Sequence, residues 1–179
     1  MATFIALLRA VNVGTGRNVK MTDLARVVAE AGGDRISTYI QSGNVVFAHP
    51  ERSTSQLEAQ LERGIAAMAG FDVDVVVRTM KEWEAVVSGC PYEVEDPTKL
   101  FVAFLKTAPP SAVLEAFDPS PFAPETFTSR GRELYLHLPN GMGRAKLPLA
   151  VGKLKLPPTT TRNWRTILEL QKYAERCSA

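Results

Sequence analysis

A chain of 179 residues, 45% hydrophobic and 22% charged, is long enough for one large domain or two small ones and apolar enough for a real core. No window approaches about eighteen consecutive apolar residues, so no transmembrane helix is expected. The apolar start "MATFIALLRAVNVG" lacks the basic opening and small-residue cleavage site of a signal peptide. The net charge of +2 is unevenly spread: residues 1–98 hold 9 Lys/Arg against 13 Asp/Glu, a net of −4, and residues 99–179 hold 12 against 6, a net of +6.

In chain order, "TFIALLR" (3–9) reads as a buried strand, followed by the loop "AVNVGTGRNVK". "MTDLARVVAEAGG" has Leu24, Val27, Val28 and Ala31 at helical spacing, Thr22 as N-cap, and a stop at Gly32-Gly33. "RISTYIQ" and "NVVFAH" are two short strands around a tight Ser42-Gly43 turn. "STSQLEAQLERGIAAMAG" is a helix capped by Thr54 or Ser55, with Leu57, Leu61, Ile65 and Met68 on one stripe. "VDVVVRT" is a strand. The order over residues 3–79 is thus β-α-β-β-α-β, the ferredoxin-like pattern. "MKEWEAVVSGC" adds a short helix, and "PYEVEDPTK" marks the subdomain boundary.

Beyond it, "LFVAFLK" is a strand, "PPSAVLEAFD" a helix and "TFTSRGRELYLHLP" a hairpin. In that hairpin Leu134, Leu136 and Leu138 alternate with Tyr135 and His137. "NGMGRAKLPLAVGKLKLPP" is irregular with one short helix, and "RNWRTILELQKYAERC" is the final helix. The expected fold class is α+β with two subdomains. Residues 1–92 are ferredoxin-like (β-α-β-β-α-β), and residues 93–179 are a partial echo (β-α-β-β-α) holding the basic segment 130–165 and the terminal helix.

The usual chemical motifs do not match. "GTGRNV" has Gly14 and Gly16 between a strand and a helix, but Val19 stands where a dinucleotide fingerprint needs glycine, and "NVKMT" does not supply the Walker pattern. Gly14 and Gly16 fit a β-to-α turn with positive φ better than a defined ligand loop. His49 and His137 are far apart, without Cys or carboxylate partners at ligand spacing, so no metal is expected. Cys90 and Cys177 form no disulfide framework, which fits a reducing cytoplasm and a cytoplasmic location. Ser42 has no nearby histidine in sequence, Cys90 reads as a small buried residue, and Glu93, Glu95 and Asp96 read as solvated linker acids. No cofactor is expected. Base stacking on exposed sheet aromatics has only Phe4, Tyr39 and Phe47 as candidates, each of which also suits the core.

The segments "LLRAVNVGTGRNVKMTDL", "TYIQSGNVVF" and "TTTRNWRTILEL", in this order and at these separations, resemble a bacterial family known as domain of unknown function 1697. "LFVAFLK" and "ELYLHLP" fit as well, and the resemblance runs over essentially the whole chain. This chain has Ala10 where that family more often shows glycine. The resemblance implies two α+β subdomains, the first ferredoxin-like, and implies no activity.

Charge points to a ligand class. Segment 130–165 carries eight cations, five of them arginines, against Glu133 alone, a net of +7. A local excess of this kind suits either an anion-binding surface or a solvated basic face. Arg162 and Arg165 are expected in the first turn of the final helix, where the backbone is already partly positive. The ligand-binding set expected from the residues is Arg9, Asn12, Gly14, Ser42, Gly43, Asn44, Thr161, Arg162 and Asn163. Arg9 ends the first strand and Asn44 begins the third, its antiparallel neighbour, so the two places meet at one end of the sheet. A cleft between subdomains, a common ligand location, would complete the site with Thr160, Thr161, Arg162 and Asn163.

Three readings follow. The first is a cleft that binds a phosphate-bearing anion, either a nucleotide or a nucleic-acid backbone, through helix N–H groups and Arg162. The second is an enzyme acting on a phosphorylated small molecule at the same place. The third has no ligand: Arg162 and Asn163 are a structural tie between subdomains. No membrane partner is expected, and no oligomeric state is indicated.

Overall fold

The computed structural model describes residues 1–14 and 16–179, so Thr15 of the loop read from the sequence lies outside the described residues. The chain divides by its contacts into two units, Met1–Val87 with Leu168–Ala179, and Ser88–Ile167. The sequence alone places the division at residue 92 and the whole final helix in the second half; the contact-based units divide that helix at Leu168.

The first unit contains β1 (Ala2–Leu8), α1 (Met21–Glu30), β2 (Asp34–Tyr39), β3 (Asn44–His49), α2 (Thr54–Ala69), β4 (Val75–Thr79) and nearly all of α3 (Met80–Ser88). Its four strands lie in the order β2-β3-β1-β4, all neighbours antiparallel. This is the ferredoxin-like arrangement that the element order implies. The central strands β1 and β3 are buried on both faces, which is why they read as continuous apolar runs rather than as alternation. On one face Phe4, Ala6 and Leu8 of β1 and Val45 and Phe47 of β3 meet Leu24, Val27 and Val28 of α1 and Leu57, Leu61 and Ile65 of α2. Phe4 and Phe47, opposite each other in register, stack at 5.8 Å.

Helix starts differ from the sequence reading. Lys20 occupies the N-cap of α1 with no side-chain cap bond, and Thr22 lies inside the first turn. α2 is capped by Ser53, whose Oγ accepts the Gln56 N–H, so the cap precedes Thr54 and Ser55. α2 stops at Gly70, whose φ of 78° is the left-handed conformation that closes a helix. The β2–β3 turn takes residues 40–43, since Tyr39 pairs with Asn44; it is longer than a two-residue Ser42-Gly43 turn.

The second unit contains β5 (Leu100–Leu105), α4 (Ser111–Glu115), β6 (Thr126–Arg130), β7 (Glu133–His137), α5 (Leu147–Val151) and β8 (Thr159–Asn163), followed by the start of α6 (Trp164–Ser178). The strand order β6-β7-β5-β8 repeats that of the first unit, strand for strand. The echo read from the sequence is therefore one strand short. The missing strand is β8, which pairs antiparallel with β5 from Phe101↔Asn163 to Leu105↔Thr159. Three consecutive threonines are β-branched and favour an extended backbone once a neighbouring edge is available. The core of this unit joins Ala103 and Leu105 to Leu134, Leu136, Leu138, Leu147 and Val151. Among the described residues no helix is long and apolar enough to cross a membrane.

Candidate anion site

The end of the first sheet brings six of the nine expected residues together. Leu7 pairs with Asn44, and the Leu8 N–H donates to the Gly43 carbonyl at 2.8 Å, so the end of β1 and the start of β3 are adjacent. Gly43 has φ of 76°, and a Cβ there would stand 2.7 Å from both Leu8 Cβ and Val11 Cγ2. Only glycine satisfies both the conformation and the space. Arg9, at the edge of this junction, pairs with Asp74 at 3.0 Å while keeping its side chain 51% exposed.

Asn12 fixes the loop that follows. Its Oδ1 accepts the Val19 N–H at 2.9 Å, and its Nδ2 donates to the carbonyls of Val19 at 2.8 Å and Gln41 at 2.5 Å. The loop is thus stitched to its own end and to the β2–β3 turn. Asn44 is fully buried, and its Nδ2 donates to the Tyr39 carbonyl and to Ser42 Oγ, both at 2.9 Å. The amide groups of Asn12 and Asn44 therefore build the scaffold.

The loop backbone has a pattern that side-chain reading misses. Ala10, Asn12, Gly14 and Gly16 have φ of 52°, 57°, 73° and 96°, while Val11 and Val13 between them are not left-handed. Alternation of right- and left-handed residues is one way backbone N–H groups come to face an anion; here the Asn12 N–H is already donated to the Arg17 carbonyl at 2.9 Å. Among the described residues, the N–H groups of Ala10, Val11, Val13, Gly14 and Gly16 have no protein acceptor. Arg17 and Lys20, both exposed, continue the loop, and the Arg17 guanidinium lies 5.9 Å from the Phe71 ring centre. The glycines were visible in the sequence; the left-handed Ala10 and Asn12 were not.

Thr161, Arg162 and Asn163 belong to the second unit and do not form a helix start. Arg162 lies in β8, opposite Val102, and only 8% of it is exposed. Its Nη1 donates to Thr160 Oγ1 at 2.7 Å and to the Thr161 carbonyl at 2.9 Å. Burial lowers its pKa to about 10. The expectation of Arg162 in a helix's first turn is corrected: the Thr run extends the sheet, and Asn163 caps α6 by accepting the Thr166 N–H at 2.8 Å. Arg165 is in that first turn and is exposed. The carboxylate of Asp96 is held below the usual range by hydrogen bonds from Thr98 and, more weakly, by the charges of Lys99 and Arg165.

The rest of the basic segment is spread out. The Arg130 guanidinium donates to the Gly89 carbonyl, and Arg132 donates to the Lys106 carbonyl at 3.4 Å. The N-terminus of α5 already holds an anion, since the Glu125 carboxylate accepts the N–H groups of Lys146 and Leu147 at 3.0 and 2.7 Å. A cavity of about 460 Å³ in this unit is lined by Glu93, Glu95, Asp96, Lys99 and His137, a predominantly acidic set. His137 stacks on Tyr92 at 5.5 Å, beside this cavity. His49 is structural: its Nε2 hydrogen-bonds the Ala31 carbonyl, and its Nδ1 accepts the Glu51 N–H, both at 2.9 Å.

A family model described as a protein of unknown function, DUF1697, matches residues 1–135, which include the whole first unit up to α3 and the glycine loop. The chain belongs to the DUF1697 family. None of the curated proteins matches it. The fold of this DUF1697 protein is shared with the conserved bacterial protein SP0830 from Streptococcus pneumoniae, with a TM-score of 0.73 at 20% identity, over 97% of this chain and 98% of that one. Likeness at that identity speaks for the fold, and the α+β architecture with two four-stranded sheets is common to the two proteins.

Proposed function

We propose that this DUF1697 protein binds a phosphate-bearing anion on the loop spanning residues 9–20 of its first unit. The observation that carries the reading is the alternation of left-handed residues at Ala10, Asn12 and Gly14, which leaves several N–H groups without an acceptor among the described residues. Concave runs of backbone N–H are a recurrent way to hold phosphate. Arg9, Arg17 and Lys20 supply positive charge on both flanks, and Arg9 can exchange part of its exposed pairing with Asp74 for a ligand oxygen. The fold itself does not demand so long a connection: the corresponding link from β5 to α4 spans only residues 106–110 and contains no glycine. Ser42, Gly43 and Asn44 act as the support that holds the loop in place.

A second reading applies to the other half of the expected set. Arg162, with Thr160 and Asn163, is structural, and the 8% exposure of Arg162 favours this role. Its Nη1 donates within its own strand, and the Asn163 side chain accepts from the Thr166 N–H of α6.

Calorimetric titration with pyrophosphate tests the first reading. The expected result is salt-sensitive binding that weakens about tenfold or more in the double variant Arg9→Glu, Arg17→Glu. Equal affinity in the wild type and that variant would remove the loop from consideration.

A further inference from the structure

The proposed anion loop has two apolar neighbours that the fold leaves in solvent. Val13 is 64% exposed, and Ile40, in the β2–β3 turn, is 51% exposed. Ile40 also has φ of 46°, the left-handed region in which a β-branched side chain is a genuine outlier. Glycine or asparagine would occupy such a turn position with far less strain. The core gains little from a side chain that is half in water, so packing does not account for isoleucine here. Strain of this kind is found where binding requires it.

The two segments that carry these residues are tied to each other. Asn12 Nδ2 donates to the Gln41 carbonyl at 2.5 Å; Val13 follows the first of these residues and Ile40 precedes the second. Each is a single exposed apolar residue beside polar positions: Asn12 and Gly14 flank Val13, and Gln41 and Ser42 follow Ile40. A lipid tail or an apolar protein helix would need a wider surface. A flat heterocycle with polar edges fits, because such rings are commonly gripped between aliphatic or aromatic side chains while nearby amides read the edge. Gln41 is exposed, and its side-chain amide has no partner among the described residues.

We propose that Val13 and Ile40 grip the base of a nucleoside phosphate whose phosphate lies on the N–H groups of Ala10, Val11, Val13, Gly14 and Gly16, with the Gln41 amide at the edge of the base. This inference rests on the anion-loop reading and gives the ligand an organic half. The base binds by burial of apolar area and the phosphate by charge-assisted hydrogen bonds, so the two contributions are separable.

The test compares inorganic phosphate, adenosine monophosphate and a short single-stranded oligonucleotide on the wild type and on Ile40→Gly and Val13→Ser. The wild type is expected to bind the mononucleotide about tenfold or more tighter than phosphate. Ile40→Gly should melt no lower than the wild type, because the strain is relieved, and should bind phosphate as the wild type does. Its preference for the mononucleotide should fall to about threefold or less, and Val13→Ser should lose preference in the same direction. Binding of phosphate without a mononucleotide preference overturns this inference and leaves the loop reading standing. Undiminished preference in both variants also overturns it, as does oligonucleotide binding without any mononucleotide preference. Failure of all three ligands to bind the wild type overturns both readings.

Discussion

Gly43 closes the end of the first sheet. Its carbonyl takes the Leu8 N–H, and its missing side chain lets the backbone pass beside Leu8 and Val11. Gly43→Ala combines a φ of 76° with a Cβ 2.7 Å from two neighbours, so either the turn or the loop must move. The expected loss is about 2–4 kcal/mol, read from chemical denaturation. A loss under about 0.5 kcal/mol, the range of ordinary surface substitutions, would show that the junction is loose.

Tyr135 makes the stability of the fold depend on pH. Burial, with smaller help from Glu133, pushes its phenol above the ordinary value of 10.0. In the unfolded chain the phenol ionises near that ordinary value, whereas in the folded chain it stays protonated to higher pH. Between the two pKa values the unfolded state binds fewer protons, so stability falls as pH rises. The contribution is fully present below pH 10.0 and is lost above it. Arg162, lowered to about 10 by burial, acts in the opposite sense above that value, because there the unfolded state binds more protons. Melting temperatures followed above pH 10.0 should therefore fall less steeply in Tyr135→Phe than in the wild type; an identical slope would contradict the assignment.

At the scale of elements, β8 shows why part of the sequence misleads. "TTTRNW" offers threonines, an asparagine and a following amphipathic run, the signature of a helix start. The helix does start there, but at Trp164, and the cap is Asn163 alone. The threonines are equally suited to a strand, and the β5 edge decides between the two. β4 and α3 repeat this junction in the first unit, where Arg78 is buried one residue ahead of Thr79. The Thr79 Oγ accepts the Glu82 N–H, and the Glu82 carboxylate accepts the Thr79 N–H, forming a reciprocal cap. If Arg162 is structural, Arg162→Ala should lower stability by about 2–4 kcal/mol, since buried acceptors lose a charged donor. Its pyrophosphate affinity should stay within about twofold of the wild type, since the proposed loop is untouched. A stable variant with lost affinity would instead return Arg162 to the ligand.

At the scale of the molecule, the first unit was readable because its strands, helices and glycine stops occur in the ferredoxin-like order at ordinary lengths. The second was readable only in part, because α4 and α5 are single short turns and β8 looks like a cap. The candidate site divides similarly. The meeting of Arg9, Asn12 and residues 42–44 follows from antiparallel pairing of the central strands, which element order implies. The left-handed backbone at Ala10 and Asn12 does not follow, since alanine and asparagine carry no mark that obliges a positive φ. The inner commitments of Asn12, Asn44 and Arg162 were also hidden, because a polar side chain that serves its own backbone has the same letter as one that serves a ligand.

Binding of a phosphate-bearing anion by the loop of the first unit is open to amide NMR during titration with pyrophosphate. Saturable shifts are expected to concentrate at Ala10, Val11, Val13, Gly14 and Gly16, with the amides of β8 and α6 unchanged. Saturable shifts confined to the second unit, or no saturable shift in residues 9–20, would contradict it.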